Sequence, residues 1–188
     1  MQQPITKDSY VKEVFHMAME DLLEKKDFPD ITTTEIIECS GLSRTTFYKY
    51  FRDKYELAAW KFSALFVQSM TPHEFTSPEY GLEGYSKHIS YIYEKRKYFK
   101  SLFGYTGQNS FRDYYTQFAV EMAESIAAQS GQKLSTADYY ALSYHSDGAV
   151  RVMKEWLEAD CPISVDELCK ILIENLSPRI SRLFTVQK

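Results

Sequence analysis

Residues 31–57 read ITTTEIIECSGLSRTTFYKYFRDKYEL, and this stretch decides the fold. Thr32, followed three residues later by Glu35, is the signature of a capping box opening a helix. That helix stops at Gly41, a residue suited to the left-handed terminating position. Ser43 then caps a second short helix running to about Tyr50, and Asp53 with Glu56 opens a third. Phe47, Tyr50 and Phe51 are expected to face inward, leaving Arg44, Thr45, Tyr48 and Lys49 largely outward. Helix, glycine turn and polar second helix form the helix-turn-helix arrangement that inserts one helix into the DNA major groove.

Each residue of the segment has a physical job in that reading. Ser43 satisfies backbone donors at the start of the recognition helix, where base edges are met. Arg44 carries a planar fork matching guanine O6 and N7, and Thr45 suits a thymine methyl or a base acceptor. Tyr48, Lys49 and Tyr50 have the reach for phosphate. Lys54, in the first turn of the next helix, is expected to hold a phosphate together with that helix's amide donors. Thr32 and Thr33 are placed to clamp another, and Thr46 completes the candidate set. Ile36, Phe47 and Phe51 are assigned to packing.

Working outward, the pattern is helical throughout. A first helix over about 6–26 carries Val11, Val14, Phe15, Ala18 and Leu22 on one face, and the helix opened by Asp53 continues to about Met70. TPHEFTSPEYG at 71–81, with two prolines, reads as a linker. Helices follow at about 82–95, 97–104, 109–129, 135–158 and 164–176, the last two opened by the pairs Ser135–Asp138 and Ser164–Glu167, and Pro178 interrupts the tail. No period-2 strand run, internal repeat or low-complexity segment occurs. The fold class is all-α: an N-terminal three-helix DNA-binding bundle with a helix-turn-helix over 1–52, then a helical domain over 53–188, which the family resemblance given below implies is an effector and dimerisation domain.

Composition bounds the function. The 188 residues are 44% apolar, ample for a core. No apolar run approaches the roughly 18 residues a membrane span needs, so no membrane partner is expected. The N-terminus lacks a basic flank followed by an apolar stretch, so no secretory signal is read. Cys39, Cys161 and Cys169 have no CxxC spacing and fit reduced thiols in a cytoplasmic protein. The net charge is −4, and residues 1–56 hold 8 Lys and Arg against 11 Asp and Glu, a net of −3. Within 41–54, however, Arg44, Lys49, Arg52 and Lys54 face only Asp53, a net of +3. A local patch suffices for phosphate contact, with weak non-specific binding and a modest salt dependence.

As a unit, these residues resemble the TetR family of bacterial one-component transcriptional regulators. Its pattern, T-x-x-x-I-A-x-x-A-G-V-S-x-x-T-x-Y-x-x-F-x-x-K-x-x-L, is met in register by Thr32, Ile36, Gly41, Ser43, Thr46, Tyr48, Phe51, Lys54 and Leu57. The resemblance covers about residues 10–60. Departures are Ile37 for the usual Ala, Ser40 for Ala, Leu42 for Val, and Tyr50 where His is frequent; Ile37 asks for extra room between helices. The stretches YIYEKRKYFKSLF, GQNSFRDYY, SDGAVRVMKEWL and SVDELCKIL are similar to the subgroup that includes the dihydroxyacetone-operon activator type. The resemblance implies a homodimer on a pseudo-palindromic double-stranded DNA operator, controlled by a small-molecule effector. The subgroup admits the alternative of a protein partner delivering the signal, with activation as open as repression.

The second half is aromatic. Residues 55–188 hold 12 of 15 tyrosines, 8 of 12 phenylalanines and both tryptophans. Candidate linings of an effector cavity are Phe62, Phe66, Tyr85, Tyr91, Phe103, Tyr115, Phe118 and His145, although an aromatic stripe at helical spacing is more often core. The stripes Leu142, Ala149, Val152, Met153, Trp156, Leu168, Leu172 and Leu176 resemble the paired helices through which the family dimerises, with intramolecular core as the competing reading. Gly148, costly by about 1 kcal/mol inside a helix, would be explained by close helix–helix approach. His16, His73, His88 and His145 are scattered, so no metal is expected, and no cofactor motif or catalytic constellation stands out. An enzyme is therefore not expected. Lys95, Arg96, Lys97 and Lys100 fit a solvated helix end better than a partner surface.

Overall fold

A computed structural model describes the backbone of residues 6–69, 78–105, 110–129 and 131–183, with the side chains of all these except 65–69, 78–85 and 129. The chain divides into two compact units, Met1–Lys61 and Phe62–Lys188. Among the described residues there are ten α-helices, one 3-10 turn and no strand.

In the first unit, α1 (Lys7–Leu23) starts at Thr6, whose hydroxyl accepts the Ser9 amide. A 3-10 turn at Phe28–Asp30 leads into α2 (Thr33–Ser40), capped by the full Thr32–Glu35 box. Gly41 (φ +67°) turns the chain into α3 (Arg44–Tyr50), and α4 (Lys54–Ser69) supplies residues to both units. The turn is tightened by Ser40, whose hydroxyl donates to the Ile37 carbonyl at 2.7 Å and accepts the Leu42 amide at 3.1 Å. Phe15, Met19, Ile36, Phe47, Phe51 and Leu57 form the core. Phe47 meets Phe15 edge-on at 5.1 Å between centroids and Phe51 at 5.7 Å. Each such pair adds about 0.5–1.5 kcal/mol beyond its buried area. Ile37 is buried with the rest, so the helices accommodate its extra carbons. At the start of α4, Asp53 accepts the Glu56 amide at 2.8 Å, and the Glu56 carboxylate accepts from the Arg52 amide at 2.6 Å and from its guanidinium.

In the second unit, α5 (Pro78–Glu94), α6 (Arg96–Gly104), α7 (Phe111–Gln129), α8 (Thr136–Glu158), α9 (Val165–Glu174) and α10 (Pro178–Leu183) follow. Two prolines read as interruptions are helix starts: Pro78 opens α5 inside the expected linker, and Pro178 opens α10. Proline suits a first helical turn because its fixed φ matches and its missing N–H was unsatisfied anyway. The Ser135–Asp138 and Ser164–Glu167 boxes are present in full. Phe62 packs edge-on against Phe111 at 4.8 Å and tilted against Tyr115 at 5.7 Å, with His88 buried at 3.9 Å from it. Ala123, Leu142 and Ile180 form another buried cluster, flanked by Val120, Leu134, Leu176 and Leu183.

The residues expected at a dimer face are largely spent within the chain. Leu142, Ala149, Met153, Trp156, Leu168 and Leu172 are buried in a single copy, and Leu176 packs against the Leu142 cluster. Of that set only Val152 reaches the surface. A helix sends its most apolar stripe to its own core, which is where these residues are spent. The outward face of α8 carries Tyr140, Tyr144, Gly148 and Val152 at four-residue intervals.

Candidate nucleic-acid interface

The reading helix α3 is held from within and presents its polar residues outward. Phe47 is fully buried, whereas Arg44, Thr45, Tyr48 and Lys49 are exposed. Ser43 caps the helix by accepting the Thr46 amide at 3.0 Å, and the two hydroxyls bond each other at 2.8 Å. That pair sets the helix start. The Arg44 guanidinium lies 5.2 Å from the centroid of the Tyr48 ring and reaches its hydroxyl at 3.5 Å. Stacking on an aromatic face orients the fork while its edge stays available.

At the start of α2, Thr32 lies outside the helix and Thr33 is its half-buried first residue. The Thr32 hydroxyl is engaged with Glu35 on both sides, accepting its amide and donating to its carboxylate. Lys26, bonded at 2.5 Å, with the Thr32 amide and hydroxyl, holds the Glu35 carboxyl down to about 2.

Lys54 requires a correction. It is not a phosphate ligand in this arrangement: its ammonium is buried and donates to the carbonyls of Phe28 at 2.8 Å, Pro29 at 2.9 Å and Ile31 at 2.6 Å. The Phe28 and Tyr55 rings flank it at 4.7 and 5.3 Å. Lys26 takes the remaining carbonyl of the turn, that of Asp30, at 3.1 Å. Thus four successive carbonyls, 28 to 31, are met by two ammonium groups. A tight turn between helices leaves acceptors without helical partners, and a buried cation with three donors answers that need. Burial pushes the Lys54 ammonium below its ordinary value.

The patch is also less positive than its composition suggests. Arg52 pairs with Glu56, and Lys49 lies 3.9 Å from Asp8 of α1. The Tyr50 hydroxyl donates to that same carboxylate at 2.5 Å, so Tyr50 is half-buried with its polar tip engaged at the surface. This hydrogen bond, with the charges of Lys49, Lys12 and Lys7, holds the Asp8 carboxyl below its usual range. Asp8, Lys12 and Lys26 escaped sequence reasoning because their partners lie on other elements; Asp8 and Tyr50 are 42 positions apart.

Of the effector candidates, Phe62, Phe103 and Tyr115 are buried against other rings, and Tyr91 stands 5.6 Å from Phe99. Phe118 and His145 are half-buried, and burial lowers the pKa of His145. Phe66 and Tyr85 lie among the residues whose side chains are not described. In the basic cluster, the Arg96 guanidinium lies 5.2 Å from the Tyr93 ring centroid, and Lys100 donates to the Glu158 carbonyl at 3.5 Å.

Residues 18–59 match the family model described as bacterial regulatory proteins, tetR family, and 81–177 match that of a transcriptional regulator C-terminal region. The second match alone spans more than half of the chain. This chain belongs to the TetR family. It is a transcriptional regulator with a DNA-binding helix-turn-helix. Among solved structures, the TetR-family chain is similar to the dihydroxyacetone kinase operon activator DhaS, at 15% identity and a TM-score of 0.55, covering 88% of this chain and 93% of that one. It is also similar to the TetR-family repressor AlkX from Dietzia sp., at 17% identity and a TM-score of 0.52, covering 90% and 97%. At these identities the likeness is one of fold. No curated protein matches the chain. No helix among the described residues is long and apolar enough to cross a membrane.

Proposed function

We propose that this regulator acts as a homodimer that reads a pseudo-palindromic operator through α3, under control of an effector received by residues 53–188. The observation that carries the reading is the projection of Arg44, Thr45, Tyr48 and Lys49 from a helix anchored by Phe47. Arg44 and Thr45 read base edges, while Thr33, Tyr48, Lys49 and Tyr50 approach the backbone. Two-fold symmetry of the protein then dictates two half-sites about one helical turn of DNA apart.

The second copy meets the outward face of α8. Tyr140 and Tyr144 are 75% and 86% exposed. At Gly148, an added Cβ would find nothing within 4 Å in its own chain, so the fold itself does not demand glycine there. A self-complementary stripe with a small residue in its middle suits an isologous helix pair. Proteins named activator (DhaS) and repressor (AlkX) share this fold, so the fold does not decide the sign of control, which a reporter measures.

The test is operator selection from random duplexes, followed by anisotropy titration of wild type and the Arg44→Ala, Tyr48→Ala double variant. One bidentate Arg–guanine contact is worth about 1–3 kcal/mol per half-site, so specific binding is lost while the circular-dichroism melt is unchanged. Undiminished binding by the double variant sinks the reading.

A further inference from the structure

Side chains from α1 and α3 converge on one point at the flank of the recognition helix. The Asp8 carboxylate accepts from the Tyr50 hydroxyl, the Lys49 ammonium donates to that hydroxyl at 3.1 Å, and Lys12 Nζ stands 5.8 Å from the Tyr50 ring centroid. The Asp8 side chain is 65% exposed, and an exposed pair of this kind contributes only about 0–1 kcal/mol to stability. A phenol hydroxyl bonded to one ammonium, with a second ammonium over its ring, is a donor set for a backbone phosphate. Tyr50 and Lys49 end the short helix that also carries Arg44 and Tyr48, while Lys12 comes from α1, half-buried over the Tyr50, Phe51 and Trp60 rings.

We propose that Asp8 is a built-in competitor of the DNA backbone: its carboxylate occupies the point where Tyr50, Lys49 and Lys12 hold a phosphate in the complex. The inference rests on the DNA-reading function proposed above. In the free protein the carboxylate satisfies the donors. On DNA it must yield them to the phosphate and swing toward solvent, with its charge still nearby. Asp8 thereby sets the absolute level of binding without touching base selection, because phosphate contacts carry no sequence information.

The experiment compares wild type, Asp8→Asn, Lys49→Met and the double variant on a duplex selected by the protein and on an unrelated duplex, across a salt series. Asparagine keeps an acceptor for Tyr50, and thermal melts of each variant establish that the fold is retained. Relief of like-charge repulsion in both subunits is expected to tighten Asp8→Asn binding about tenfold on both duplexes. The plot of log affinity against log salt should steepen by about 0.9 for each additional phosphate neutralised. The loss caused by Lys49→Met should be larger in the Asp8→Asn background, where Lys49 is released to the phosphate. Equal affinity and slope for wild type and Asp8→Asn overturn the inference and leave Asp8 as a helix-start acid. Tightening on the selected duplex alone also overturns it, since that is a base-reading effect. A wild-type protein that retains no duplex refutes the DNA reading itself, a result distinct from either.

Discussion

Replacing Lys54 by Met separates two jobs for one cation. The substitution keeps the stem length and removes the donors to the Phe28, Pro29 and Ile31 carbonyls. Pro29 is exposed, so water can replace the donor at its carbonyl. The Phe28 carbonyl retains the Ile31 amide at 3.3 Å, whereas the Ile31 carbonyl loses an ammonium at 2.6 Å in a buried setting. A buried acceptor stripped of its donor costs about 1–3 kcal/mol, and a hydrogen bond to a charged group contributes about 1.5–3 kcal/mol. Against this stands the relief of no longer burying an ammonium, visible in the lowered pKa of Lys54. The net expectation is a loss of about 2–4 kcal/mol from the first unit. Hydrogen exchange read by mass spectrometry over residues 28–40, with α8 as internal reference, should then show protection falling by roughly 10² (1.4 kcal/mol per factor of ten). A Lys54→Met protein with unchanged protection but a shallower salt dependence of DNA binding would refute the reasoning and return Lys54 to the phosphate backbone.

Two further outcomes follow from the second unit. Burial holds the His88 imidazole down at about 3, so the folded chain stays neutral there while the unfolded chain takes up a proton below its ordinary value near 6.5. Stability from this group is therefore complete above about pH 6.5 and declines on acidification, reaching a loss of about 2 kcal/mol near pH 5. Urea titrations at neutral and mildly acid pH should show that decline shrink by the same amount in His88→Leu; an unaltered pH dependence contradicts it. Gly148→Ala should act in opposite directions on two measurements. It stabilises α8 by up to about 1 kcal/mol in thermal unfolding of the dilute protein, yet shifts sedimentation equilibrium toward monomer by adding a methyl at the proposed crossing point. A dimer tightened by the alanine argues against that crossing.

Local grammar was readable in the sequence. The boxes at Thr32, Ser135 and Ser164, the cap at Ser43 and the left-handed stop at Gly41 each depend on residues within four positions, and each stands as the spacing implied. The inward Phe47 and outward Arg44 followed from helical period alone. What the sequence hid were partners set by tertiary proximity. Lys54 is a surface cation by composition and a buried donor only because the Phe28 turn folds back over it. The stripe read as a dimer face behaves similarly: Leu142 and Met153 are buried in the chain's own core, while the outward face of α8 carries tyrosines, residues equally at home in a core. Pro78 and Pro178 show the ambiguity of proline, which ends one helix and begins another with the same ring.

The hydroxyl–carboxylate pairs at the helix starts bear on how such a regulator can change over time. Glu35, Asp138 and Glu167 answer amide groups at the openings of α2, α8 and α9, while at α7 the Asp113 carboxylate accepts the Ser110 hydroxyl, which in turn accepts the Asp113 amide. A protein built largely of helices accumulates acids of this kind at many of its helix openings, because each helix begins with partial positive charge. Part of the net negative charge is therefore tied to the architecture and is already matched by nearby amides. A lineage seeking a firmer hold on nucleic acid discards these acids only at a cost in helix stability, about 0.5–2 kcal/mol for a lost cap. Its freedom lies with acids that start no box, on the rim of the reading surface.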